Sequence, residues 1–171
     1  MALTQDYFEL FGLPARFRID LAALDEAFRR VSLQVHPDRF AGAGPAMQRV
    51  AEQWSARANE AHAALSSPLS RAVYLCERAG APVEAESNTR MPMDFLMQQM
   101  QWREALEAAA GKPAELKPLG EEVSREESRL IESLGAAFDD EQDPKKAVPL
   151  VRRLMFVDKM AREVRAALEK I

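Results

Sequence analysis

Cysteine is almost missing from this chain of 171 residues: Cys76 is the only one. That rules out an intrachain disulfide. A lone thiol with two distant histidines also cannot supply the four ligands of a zinc site. Aromatic residues are sparse at 7%, whereas Ala and Leu are plentiful, a balance that favours an all-helical fold. No apolar run approaches the roughly 20 residues needed to span a bilayer. Lysine is absent from residues 1–78, whose nine arginines are balanced by nine acidic side chains. The other 14 basic and 18 acidic residues therefore carry the whole net charge of −4, which speaks against a general affinity for nucleic acid or an anionic membrane. The opening MALTQDYFELFGLP has neither a basic n-region nor an apolar core, and it is not rich in Arg and Ser. Neither a secretory signal nor an organelle transit peptide is expected there, and the expected compartment is the cytoplasm.

Hydrophobic residues at 47% and charged ones at 29% suit a soluble globular chain of one domain or two small ones. Residues 4–11 read as a short helix, with Thr4 as N-cap and Gly12 and Pro14 as the stop. Asp20 caps a longer helix with Leu21, Leu24, Phe28, Val31 and Val35 on one face. Pro37 ends it, and HPDRFAGAGP reads as a loop. From Pro45, the residues Met47, Val50, Trp54, Ala58, Ala61 and Leu65 repeat the spacing, which predicts an antiparallel helical hairpin. Ser67 and Pro68 open a further helix that runs to about Arg78. APVEAESNTRMP has no period and reads as a linker. Three more helices are expected over 93–110, 115–139 and from Asp143 onward, packed as an antiparallel bundle. The second carries Leu116, Leu119, Val123, Leu130, Leu134 and Phe138. The third carries Leu150, Leu154, Val157, Ala161, Val164, Leu168 and Ile171, with Pro149 as either a kink or the true first turn.

His36, Pro37 and Asp38 stand where the first long helix runs out. A His–Asp pair can serve as a general base, but it then needs a nucleophile or metal, a pocket and an oxyanion stabiliser. No Gly-rich phosphate cradle, nucleophile elbow or second carboxylate cluster lies nearby, so no cofactor is expected. The bland alternative is that Asp38 caps a turn and His36 caps the preceding helix. Opposite the apolar face, Arg29, Arg30, Leu33 and Gln34 point outward, and Arg39 extends this basic surface past the loop.

Residues 4–78 resemble the J-domain. The likeness is carried by QDYFELFGLP, by the tripeptide His36-Pro37-Asp38 with Arg39-Phe40, by ANEAHAALSSPLSRAVYL and by the order of four helices. It implies docking on a DnaK-type ATPase chaperone and triggering of its ATP hydrolysis, with His36, Pro37, Asp38, Arg29, Arg30 and Arg39 as the contact residues. Asn59, Tyr74 and Trp54 are expected to hold helices together instead.

The helix over 93–110 is apolar on two sides. Phe95, Trp102, Leu106 and Ala109 form one face, while Leu96, Met100, Met93, Glu104 and Met97 lie opposite. A helix of a small domain must bury such a second face on something: its own linker or J-domain half, or another protein. Met and Leu beside a carboxylate suit an adaptable protein-binding surface. Phe156 and Met160 on the last helix are expected off its buried stripe. FLMQQMQWREAL after a J-domain and linker, with RRLMFVDKM in the last helix, is similar to the HscB family of iron–sulfur co-chaperones. That likeness implies a J-domain at 1–78, a linker at 79–92 and a three-helix domain at 93–171. It further implies that the last domain binds the iron–sulfur scaffold protein IscU and presents it to the chaperone HscA. The scaffold-binding positions then fall on Leu96, Met97, Met100, Gln101, Glu104 and Phe156. Gln101 departs from the acidic residue expected at its position. A monomer without catalytic activity of its own is expected. A general J-domain co-chaperone for unfolded clients is the main alternative, and an enzyme with His36 as general base is the weakest.

Overall fold

The computed structural model describes residues 5–83 and 91–171. Among these the chain is all-helical, as expected. It divides into two compact units, Met1–Leu75 and Cys76–Ile171.

In the first unit, α1 spans Tyr7–Phe11. The expected cap Thr4 lies outside the described residues, and the observed cap is Asp6, whose carboxylate accepts the Glu9 N–H at 2.8 Å. Gly12 ends α1 at φ +64, a left-handed position that costs glycine little and other residues more. Helix α2 spans Leu21–Val35 and is capped by Asp20 as expected. It buries Leu24, Ala27, Val31 and Val35. Leu21 departs from the expected stripe and is 49% exposed. A strict 3-4 spacing drifts against a period of about 3.6 residues, which leaves Leu21 roughly 80° from Val31 at the margin of the face.

A 3-10 turn over Pro37–Phe40 leads to α3, Pro45–Ser66. Gly44 precedes it at φ +93, and Pro45 takes the first helical position. With 22 residues against 15 in α2, helix α3 outruns its partner. Ala51, Ala58, Ala61 and Leu65 are buried along the shared length, while Met47 and Val50 in the overhanging turns stay exposed, against expectation. Helix α4, Pro68–Arg78, follows directly.

Aromatic side chains from α1 and the loop after it fill this unit: Phe8, Phe11 and Phe17 are fully buried. Arg71 is buried with them. Its guanidinium donates to the Leu65 carbonyl at 2.7 Å and lies 5.0 Å from the centre of the Phe17 ring. Tyr74 holds helices together as expected, stacking on Tyr7 at 4.5 Å and accepting the Tyr7 N–H at 3.0 Å. Trp54 is half-buried, but Asn59 is exposed and lies outside the core, a correction to its expected role.

The second unit holds α5 (Met93–Ala108), α6 (Pro113–Gly135) and α7 (Pro144–Glu169). Helix α6 ends in a π turn over Ala136–Asp140, in which the Glu141 N–H reaches the Ala136 carbonyl at 2.9 Å. The widened turn buries Ala137 and leaves Phe138 half-buried. The other expected positions of α6 are all buried. Pro149 does not open a helix but lies inside α7, one turn beyond Pro144, which holds the first position.

Helix α7 packs against both α5 and α6, so it buries a wide arc rather than one stripe. Ala147, Val151, Leu154, Val157, Met160 and Val164 are buried, whereas Leu150, Ala161 and Leu168 are only half-buried and Ile171 is exposed. Met160 is therefore core, at 0% exposure, and the expectation that it lies off the buried face is corrected.

Candidate interaction surfaces

The loop between α2 and α3 is more ordered than its composition suggests. His36 leaves the helical conformation at φ −60, ψ 130, and Pro37 begins the 3-10 turn. The His36 carbonyl accepts the Arg39 N–H at 3.0 Å, and its ring Nδ1 accepts the Asp38 N–H at 3.2 Å. His36 is the C-cap residue of α2, as the bland expectation has it, but its ring also caps the turn in place of Asp38, whose side chain is left out in solvent. The side chains of His36 and Asp38 are 55% and 92% exposed, with Asp38 Oδ2 at 3.5 Å from His36 Nδ1.

Arg39 folds back to donate to the Leu33 carbonyl at 3.2 Å, one of the carbonyls left over at the end of α2. From α3, Gln48 Nε2 donates to the Ala41 carbonyl at 3.0 Å. The loop is thereby tied to both helices. Arg29 and Arg30 are exposed on α2, as their place on the helix predicts. They lie on the C-terminal half of α2, and Arg39 is exposed in the turn that follows it. Among the described residues, no cluster of three His, Cys, Asp or Glu could hold a metal.

His62, the other histidine, was not assigned a role from sequence. Its Nε2 lies 2.8 Å from Asp25 Oδ1, and its ring stacks on Phe28 at 4.2 Å. It pins α3 to α2 and covers Phe28. The pair is 37 residues apart in the chain, so no local spacing signals it.

In the second unit, α5 has the two faces expected. Phe95, Trp102 and Ala109 are buried, and Leu106 is half-buried at the rim of a cavity of about 430 Å³. Trp102 donates its ring N–H to Glu122 Oε1 on α6 at 2.9 Å, which satisfies the one polar atom of a buried indole. Arg153 on α7 reaches Asp94 at 3.2 Å and lies 5.1 Å from the centre of the Phe95 ring. Arg103 pairs with Glu163 at 2.7 Å. These contacts hold α5 on α7 and leave its other side outward. There Met93, Met97 and Met100 are 71%, 53% and 64% exposed, and Leu96, Gln101 and Glu104 are exposed beside them.

Phe156 belongs to both faces. It meets Phe95 edge-on at 5.5 Å and lies parallel to Trp102 at 6.1 Å. It also lines a shallow cavity of about 380 Å³ with Gln99, Met100, Arg103 and Glu104. It is half-buried rather than clear of the core. The structure thus brings Met100, Glu104 and Phe156 together, and it adds Gln99 and Arg103, which helical spacing alone did not single out. Cys76 is fully buried, and burial, followed by the nearby Glu77 carboxylate, pushes its thiol up to about 11. It is therefore neither ionised nor accessible near neutral pH.

Residues 91–165 match a family model described as the HSCB C-terminal oligomerisation domain. A co-chaperone protein HscB homolog of Bordetella petrii is 53% identical over 162 residues, covering 95% of this chain and 95% of that protein. The chaperone HscB from Vibrio cholerae has a similar structure, with 31% identity, a TM-score of 0.85, and coverage of 97% of this chain and 99% of that one. The crystal structure of the human co-chaperone protein HscB matches with 25% identity and a TM-score of 0.91, over 100% of this chain and 85% of that one. With near-complete coverage at this identity, the chain belongs to the HscB family of co-chaperone proteins.

Proposed function

We propose that this co-chaperone delivers the iron–sulfur scaffold protein IscU to the DnaK-type chaperone HscA and stimulates the ATPase of that chaperone, so promoting cluster maturation and transfer. The observation that carries this reading is the presence of two unlike exposed surfaces, one on each unit. At the loop end of the hairpin, the Asp38 carboxylate is 92% exposed, and Arg39 in the same turn and Arg29 and Arg30 on α2 are exposed as well. On α5, a row of Met and Leu side chains is left open beside Glu104.

The first surface suits docking on the ATPase. Pro37 limits the loop's conformations, so less entropy is lost on binding. Asp38 offers a carboxylate to a cation, and Arg29, Arg30 and Arg39 steer toward an acidic partner. Hydrolysis then takes place on the chaperone, and this chain acts without turning over a substrate. The second surface suits the scaffold: Leu96, Met97, Met100 and Phe156 supply apolar contact, and Gln101 and Glu104 supply the polar rim. We assign residues 1–78 and 93–171 to these two tasks, with 79–92 as the linker, in a monomer working in the cytoplasm.

The test is a pull-down and a steady-state ATPase assay with purified IscU and HscA. Retention of both partners with joint stimulation supports the reading, and failure to retain IscU removes the client half of it. One observation favours a second occupant of the methionine face. The matching family model is described as an oligomerisation domain, so a second copy of this chain could cover α5. Sedimentation of the isolated protein separates the two, because a monomer in solution leaves the face free for the scaffold.

A further inference from the structure

The 3-10 turn that carries Asp38 has an unusual start. A turn of this kind leaves its first backbone N–H groups without partners inside the turn. Pro37 has no N–H, and the Arg39 N–H makes the turn's own first bond, to the His36 carbonyl at 3.0 Å, which leaves one donor, on Asp38. It is satisfied by the ring Nδ1 of His36 at 3.2 Å.

A ring nitrogen that accepts an N–H cannot carry a proton itself, so this bond fixes the tautomer. The competing arrangement would put a proton on Nδ1 and direct it at Asp38 Oδ2, 3.5 Å away. Two facts decide between them. The amide is the closer partner and its hydrogen has a fixed direction, whereas the carboxylate is 92% exposed and can be satisfied by water. We propose that His36 is a positioning residue, a neutral imidazole protonated on Nε2, whose Nδ1 caps the Asp38 amide and so holds the Asp38 carboxylate outward for the ATPase chaperone. This rests on the docking role of the loop proposed above, and it places the function of the histidine in the turn rather than at the partner.

Two substitutions separate these roles. In Asn the side-chain oxygen falls where Nδ1 lies, and Asn is among the best helix caps. In Gln the amide falls where Nε2 lies, and it is a poor cap. Full-length parent, His36→Asn, His36→Gln and Asp38→Asn proteins are compared for stimulation of HscA, with thermal melts as a folding control. Asn should stimulate about fivefold or more better than Gln, the difference expected from keeping or losing a cap. Equal stimulation by the two variants, or better stimulation by Gln, overturns the proposal. Parent-like stimulation by Asp38→Asn overturns the docking role instead. The nitrogen NMR spectrum of histidine-labelled protein gives an independent readout. With the His36 signals assigned by their loss in His36→Asn, Nε2 should carry the proton and Nδ1 none. A protonated Nδ1 at neutral pH overturns the proposal whatever the ATPase assay gives.

Discussion

The loop after α2 and the outer face of α5 are both exposed, yet they are built in opposite ways. The loop is polar, and hydrogen bonds hold its shape: from His36 to its own turn, from Arg39 to Leu33 and from Gln48 to Ala41. The α5 face is apolar and makes little structure of its own. It is set by what lies behind it, where Phe95 and Trp102 are locked into the bundle. A directional surface can present one charge in one direction. A methionine surface can adapt to the shape of a partner. The difference fits the proposed division of labour, with a trigger on the first unit and a client platform on the second.

The largest effects should come from the hidden support of the α5 face. Trp102→Ala removes a buried indole and should cost about 3–5 kcal/mol in chemical denaturation; Met160→Ala should cost about 2–5 kcal/mol. A small loss at Met160 would mean that α7 does not bury the wide arc described. Next comes Asp38→Ala, which should abolish ATPase stimulation, a loss of tenfold or more, with a melting temperature close to the parent because the side chain buries little. A melting temperature that falls with activity would make the loop a stability element and erase its contrast with α5.

Phe156→Ala should fall between the two classes. Its contacts with Phe95 and Trp102 predict a destabilisation of roughly 1–3 kcal/mol together with weaker scaffold binding. Leu96→Ala and Met100→Ala should leave stability nearly unchanged and each weaken scaffold binding by about 1–2 kcal/mol by calorimetry. A double variant that melts far below the parent would show that this side of α5 is core. The smallest effect is expected at Cys76. Cys76→Ser should leave both activities intact, and the parent thiol should resist alkylation at neutral pH until the protein unfolds, as its raised ionisation range and burial require.

The helix order, the hairpin and the two faces of α5 were legible in the sequence because each rests on local periodicity and on caps within a few residues. Asp20 capping α2 is one case, and Phe95 opposed to Met97 is another. Asp6 as the cap of α1 is a local signal that was missed, since its carboxylate bonds an N–H only three residues on.

What the chain alone determined is which residues can face one way on a helix, because that follows from geometry repeated every turn. What only the tertiary structure decided is how many faces are covered and by whom. Met160 is buried because α7 has neighbours on two sides, and Met47 is exposed because α3 outlasts α2. His62 reaches Asp25, Trp102 reaches Glu122, and Phe156 leans on Phe95 across separations of 20 residues or more, where periodicity carries no information. Even within the His-Pro-Asp loop, the residue types were plain, but the assignment of the cap to the histidine ring needed the backbone. A hydrogen bond depends on direction and distance, and a sequence specifies neither until the chain has folded around it.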